Sequence, residues 1–78
     1  MSDEVEISRI DRGYGKFIVV KIAKWKENHY VDLREYYSDS QTQELKPTKK
    51  GIRFSYELME EIEEAIGKVK EYMENPEP

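Results

Sequence analysis

Bases and aromatic rings recur at strand spacing through the middle of the chain: Lys21, Trp25, Tyr30, Arg34, Tyr36 and Arg53. Cations can pair with phosphates and an exposed ring can stack on an unpaired base, a combination suited to single-stranded nucleic acid and wasted on a duplex, whose base faces are hidden. A second basic stretch, Lys46-Pro47-Thr48-Lys49-Lys50-Gly51, extends the pattern, and Gly51 would let backbone approach a ligand closely. The other reading is that Trp25, Tyr30 and Tyr36 are cross-strand pairs that only stiffen a sheet.

Charge distribution agrees with the first reading. The net charge over the 78 residues is −4, but it is unevenly spread. Residues 1–11 carry −3, residues 12–53 carry +5, and residues 54–78 carry −6. A polyanion senses the local potential within about 10 Å at moderate salt, so the basic middle matters more than the sum.

Catalytic chemistry is poorly provided for. The chain has no cysteine and one histidine, which excludes disulfides, Cys-ligated zinc and a Cys/His dyad. His29 falls in an expected turn, and the carboxylate pairs Glu60-Glu61 and Glu63-Glu64 fall on an expected helix, where a solvated face explains them. Gly13 and Gly15 lack the third glycine of a dinucleotide fingerprint, with Ile18 in its place, and Lys49-Lys50-Gly51 lacks the order of a phosphate loop. We therefore expect no enzyme, metal or cofactor. The longest apolar run is four residues, Phe17 to Val20, so neither a membrane span nor a signal peptide is expected and the protein reads as soluble and intracellular.

The elements that must position these residues follow from periodicity. Alternation predicts strands over about 4–10, 16–26, 30–37 and 50–54, with turns at 11–15 and 26–29 and a polar loop over 38–49. Ile18, Val20, Ile22, Val31, Leu33, Ile52 and Phe54 would form one apolar face, with the basic and aromatic residues opposite. Ser55 is a good N-cap, and a helix is expected from 55 to about 74, stopped by Asn75-Pro76 and followed by a short acidic tail at 75–78. The expected class is α+β: one small domain with a four-stranded antiparallel curved sheet, then one long C-terminal helix (ββββα) covering the apolar face.

Leu58, Ile62, Ala65, Val69 and Tyr72 follow a heptad rhythm on that helix, widened by Ile66 and Met73. A core this small, without disulfide or metal, needs help, and the stripe is the expected interface of a homodimer joined through the helices. Gly67 interrupts the helix and marks a candidate close crossing.

A resemblance sharpens this reading. Val31-Asp32-Leu33-Arg34-Glu35-Tyr36-Tyr37, then Glu44-Leu45-Lys46-Pro47, then Lys49-Lys50-Gly51-Ile52, then an amphipathic helix, resembles the positive-cofactor-four family of transcriptional coactivators, whose members carry a similar IDIREYW, EMKPGRKGI, helix succession. It extends from about Gly15 to Tyr72. The resemblance implies the same sheet-then-helix fold, a homodimer, and grooves that bind single-stranded or melted DNA, without catalysis. By position, Trp25 lies where the family has an aromatic before a hairpin turn, Arg34 matches the Arg of REY, and Tyr37 replaces a stacking Trp. Lys46, Lys49, Lys50 and Gly51 match the basic loop, and Lys16 and Lys26 match backbone-facing lysines. With Lys21, Tyr36 and Arg53 from the alternation, these form the expected DNA-binding set.

Departures are a loop one residue longer, Thr48 where Gly is common, and no Ser-rich regulatory segment. The last points to a minimal, prokaryotic or viral member, in the cytoplasm or nucleoid; a eukaryotic member would be nuclear. Expected partners are single-stranded or melted DNA, a second copy of the chain, and transcription or repair machinery, with no membrane partner. RNA in place of DNA, and a protein-interaction module using the acidic helix, remain the alternatives.

Overall fold

The computed structural model describes residues 3–76. Its elements run β1 (Asp3–Gly13), β2 (Lys16–Trp25), β3 (Asn28–Ser38), β4 (Leu45–Ser55), a short 3-10 turn (Tyr56–Leu58) and α1 (Met59–Glu74). The strands form one antiparallel sheet in the order β1-β2-β3-β4, a meander in which each strand pairs with its sequence neighbour.

The turns obey local chemistry. Gly13, Tyr14 and Gly15 all take positive φ, at 90°, 58° and 71°, and the Gly13 N–H donates to the Asp11 carboxylate at 2.7 Å. Two glycines there remove the Cβ clash that this conformation imposes on other residues. The second hairpin is tighter than expected: its turn is Lys26-Glu27, so His29 belongs to β3.

The polar segment also shrinks. In place of a loop over 38–49, β3 extends to Ser38, β4 begins at Leu45, and only residues 39–44 connect them. That connection is internally bonded: the Asp39 carboxylate accepts from the N–H groups of Gln41 and Thr42 at 2.8 and 3.3 Å, and the Lys46 ammonium lies 2.9 Å away. Lys46 and these N–H groups hold the Asp39 carboxyl below its ordinary pKa. The expected basic loop is therefore strand, distorted by a bulge: the register steps from Arg34↔Gly51 to Tyr36↔Pro47 and leaves Thr48, Lys49 and Lys50 unpaired across from Glu35. The Thr48 hydroxyl closes the bulge, donating to the Glu35 carbonyl at 2.8 Å and accepting from the Lys50 N–H at 3.1 Å.

Gly51 has a structural reason at this point. A Cβ there would meet the Leu33 carbonyl oxygen at 2.7 Å and Arg34 Cα at 2.9 Å, backbone contacts that cannot rotate away. Gly51→Ala is expected to destabilise the protein by about 1–3 kcal/mol, the usual range for overpacking, read as a lower urea midpoint with unchanged slope. An unchanged midpoint would mean that β4 shifts freely past β3.

Two expectations about the core need correction. Val31 and Phe54 are buried, Val20, Ile22 and Leu33 are half-buried, but Ile18 and Ile52 remain 38% and 55% exposed. The helix does not cover that face: Met59 and Ile62 are its only half-buried residues, and Ile66, Val69, Tyr72 and Met73 are all exposed. The radius of gyration is 15.1 Å, against about 11.5 Å for a compact domain of this length. Conversely, Val19 and Ala23, on the polar and aromatic face, are the most buried residues, at 1% exposure each. Val19 pairs with Arg9 and Arg34, and Ala23 with Glu4 and Tyr30, whose longer side chains close over them.

At the helix start, the Ser55 hydroxyl accepts from the Glu57 N–H at 3.3 Å, capping the 3-10 turn that leads into α1. The helix ends at Glu74 with Asn75 as its cap, as Asn75-Pro76 predicts. Of the expected acidic tail, residues 77–78 lie outside the described residues.

Candidate nucleic-acid interface

Register assigns each side chain to a face. Paired residues share a side, so the rows Lys21↔Asp32↔Arg53, Ala23↔Tyr30↔Ser55 and Val19↔Arg34↔Gly51 lie on one face, with Phe17↔Tyr36↔Pro47 above them and Trp25 below. Five of the expected binding residues that carry side chains, Lys21, Trp25, Arg34, Tyr36 and Arg53, therefore lie together.

Asp32 organises them. It is 5% exposed, and its carboxylate accepts from Arg34 Nε at 3.0 Å and from Arg53 Nε at 3.1 Å. Arg34 sits two residues away on the same strand and so projects to the same side. Its Nη1 also donates to the Thr48 carbonyl at 3.1 Å, tying the bulge of β4 to β3. A buried carboxylate held by two guanidinium groups is satisfied, and it fixes both arginines for any ligand above them.

Lys21 is held above the ordinary lysine pKa, first by its hydrogen bond to the Tyr36 hydroxyl and further by Glu4, against some desolvation. Its ammonium also lies 4.9 Å from the centre of the Tyr36 ring, within cation–π range. Glu4, on the edge strand β1, reaches over this face to 3.6 Å from Lys21 Nζ and 3.4 Å from Arg53 Nη2. Lys21, Arg34, Arg53, Tyr36, Thr48, Pro47 and the two carboxylates line an open cavity of about 430 Å³. Next to it, Ala23, Trp25, Tyr30 and Arg53 line a second recess of about 210 Å³. Trp25 is 46% exposed at the end of β2, and Lys26 in the adjoining turn stands 5.9 Å from its ring.

Other members of the expected set lie elsewhere. Lys16, Tyr37 and Lys46 share a row on the apolar side of the sheet. Lys46 is paired with Asp39, and Tyr37 is exposed. Lys49 and Lys50 lie in the bulge; Lys50 is 4.0 Å from Glu35, which also pairs with Arg12, and its side chain is 77% exposed. The set thus divides between the aromatic face, the β4 bulge and the far side, with the bulge and the far-side row at the Tyr36 end of the sheet and Trp25 and Lys26 at the opposite end.

The carboxylates on this surface were not foreseen as parts of a site. Asp32 could have been recognised from its alternation with Arg34, since residues two apart on a strand share a face. Glu4 could not, because nothing local in sequence says that β1 lies opposite β2 in the register Glu4↔Ala23. Among the described residues, no group of three His, Cys, Asp or Glu is placed to hold a metal ion, and no helix is long and apolar enough to cross a membrane.

The family described as Transcriptional Coactivator p15 (PC4) matches residues 14–65, which span β2 to β4, the face just described and the first half of α1. The chain belongs to this family. Among curated relatives, it is 42% identical over 48 residues to the RNA polymerase II transcriptional coactivator SUB1 of Saccharomyces cerevisiae, covering 62% of this chain and 16% of that protein. It is 39% identical over 41 residues to a putative RNA polymerase II transcriptional coactivator of Caenorhabditis elegans, covering 53% of this chain and 33% of that one. The PC4-family segment is thus a minor part of both relatives.

Solved PC4 homologues share the fold. One from Burkholderia pseudomallei K96243 superposes with a TM-score of 0.77 at 19% identity, covering 87% of this chain and 90% of that one. The bacteriophage T5 homologue, described as implicated in recombination-dependent DNA replication, gives 0.63 at 22% identity over 92% of this chain and 80% of that one. The sheet-then-helix architecture is therefore that of known family members.

Proposed function

We propose that this PC4-family protein is a homodimeric binder of single-stranded or melted DNA, acting as a coactivator-like regulator of transcription or in DNA replication and repair. The observation that carries this is the adjacency on one sheet face of an exposed indole, Trp25, a recess floored by Ala23, and three cations, Arg34 and Arg53 held by Asp32 and Lys21 lying over the Tyr36 ring. Rings accept any base, and cations accept any phosphate, so binding has little sequence preference. Lys49 and Lys50 in the bulge, then Lys16, Tyr37 and Lys46, continue the path of the strand around one end of the sheet, and Lys26 extends it past Trp25 at the other. No catalytic step belongs to this function, and the working location is wherever the cell keeps its DNA, the nucleoid or the nucleus.

Homodimerisation is supported by what one copy leaves bare. Leu58 at the end of the 3-10 turn, Ile66, Val69, Tyr72 and Met73 on the helix, and Ile18 and Ile52 on the sheet are large apolar residues between 38% and 74% exposed. Exposed apolar stripes of this kind are expected to mark an interface. A second copy, joined through Leu58, Ile62, Ala65, Ile66, Val69, Tyr72 and Met73, covers both stripes and leaves the aromatic faces outward.

The test is to titrate the fluorescence of Trp25, the single tryptophan, with a 20-base DNA strand, the matching RNA and the duplex across a salt series. The single DNA strand is expected to act at far lower concentration than the duplex, with log affinity falling by about 0.7 per phosphate neutralised. Lys49→Ala with Lys50→Ala should reduce that slope by about 1.4, two phosphates at about 0.7 each. Preference for the RNA strand would make the protein an RNA binder. Indifference of the folded protein to all three would favour a protein-interaction role for the acidic helix.

A further inference from the structure

We infer that the cavity between Lys21, Arg34 and Arg53 is a phosphate subsite whose place is held, in the free protein, by the carboxylate of Glu4, and that a strand phosphate enters by displacing it. This deepens the proposed strand binding and rests on it. The two carboxylates in the cavity differ in kind. Asp32 is buried, accepts from both arginine Nε atoms at 3.0 and 3.1 Å, and belongs to the framework. Glu4 is 41% exposed in its side chain and stands 3.4 Å from Arg53 Nη2 and 3.6 Å from Lys21 Nζ, longer than well-formed charged contacts.

Such a solvent-exposed pair adds little to stability and is readily exchanged. Glu4 comes from an edge strand whose pairing uses backbone groups, so its side chain can swing out while β1 stays in register with β2. The vacated position faces an ammonium and the outer edge of a guanidinium already oriented by Asp32. A phosphodiester offers the same two acceptor oxygens as a carboxylate. With Glu4 in place, three cations face two anions, and with Glu4 aside the excess of positive charge doubles. Glu4 thereby sets a threshold that a phosphate must overcome, and the binding face is less cationic than the basic middle of the chain implies.

The experiment compares wild type, Glu4→Gln and Glu6→Gln for single-strand affinity across a salt series. Glu6 lies on the same face of the same strand, opposite Lys21 in the register, but its carboxylate pairs with Arg9 at 2.8 Å and does not line the cavity, so its variant removes an equal charge close to Lys21 without vacating the site. Glu4→Gln is expected to bind three- to tenfold more tightly at low salt, with a slope steeper by about 0.7, the value of one further phosphate. Glu6→Gln should stay within twofold of wild type. Equal effects of the two variants, or none from Glu4→Gln, would overturn the inference while leaving strand binding intact.

If no variant binds a strand, the proposed function fails and inorganic phosphate still tests the site through the side-chain NMR signal of Arg53 Nε–H. A shift at lower phosphate concentration in Glu4→Gln than in wild type and Glu6→Gln supports the subsite, and no shift overturns it. Strands with and without a 5′-phosphate distinguish the source, since equal affinity assigns the site to a backbone phosphodiester and a preference assigns it to a terminal monoester.

Discussion

Val69→Asp is expected to turn the proposed dimer into a monomer. Val69 is 63% exposed in the single chain, on the same helix stripe as Ile66 at 57% and Tyr72 at 53%. Burying a Val side chain fully is worth about 1.5–3 kcal/mol, of which roughly two-thirds remains to be gained at Val69, and a two-fold interface counts it twice, so about 2–4 kcal/mol of association is removed. That corresponds to a dissociation constant raised roughly thirtyfold to a thousandfold, before the cost of a carboxylate facing apolar surface is added. Sedimentation equilibrium across a concentration series reads the change directly. The wild type should in addition show a thermal midpoint that rises with concentration, because dimerisation and folding are linked. A wild-type chain that is monomeric at high concentration, with a concentration-independent midpoint, would remove the dimer from the proposed function.

The second large effect is expected at the other surface. Trp25→Ala should weaken single-strand binding by about 1–3 kcal/mol, the value of one stacked base, or roughly fivefold to 150-fold. The loss should persist at all salt concentrations, because stacking, unlike phosphate pairing, releases no counterions. Trp25 is nearly half exposed and ends its strand, so the thermal midpoint should move little. Anisotropy of a labelled oligonucleotide is the suitable readout, since the variant has no tryptophan. A loss that vanishes at high salt would make Trp25 a support for Lys26, whose ammonium stands 5.9 Å from its ring, and not a stacking platform.

Both effects depend on faces whose composition is local information. Alternation over Ile18, Val20 and Ile22 against Lys21, Ala23 and Trp25 identifies two sides of β2, because side chains on a strand reverse every residue. The strand–strand–strand–strand–helix order, the Ser55 cap and the stop at Asn75-Pro76 are likewise written in short windows, where backbone chemistry responds to immediate neighbours. Family membership was legible too, through Arg34-Glu35-Tyr36 and the Lys46-Pro47 and Lys49-Lys50-Gly51 pairings, and the matched segment at 14–65 contains all of them.

What lies on each face was decided only by tertiary structure. The apolar pattern of 58–73 is equally suited to covering its own sheet or meeting another chain, and only the path of the chain after Ser55 shows that it leaves its own sheet bare. The bulge that turns an expected basic loop into strand rests on Thr48 bonding to Glu35, 13 residues away, and on Gly51 fitting against Arg34. The ion pairs that temper the basic face join Arg53 to Glu4 across 49 residues. Charge counts along a sequence register how many cations a surface holds. Which of them are free depends on distances between strands, and those distances exist only once the sheet has formed.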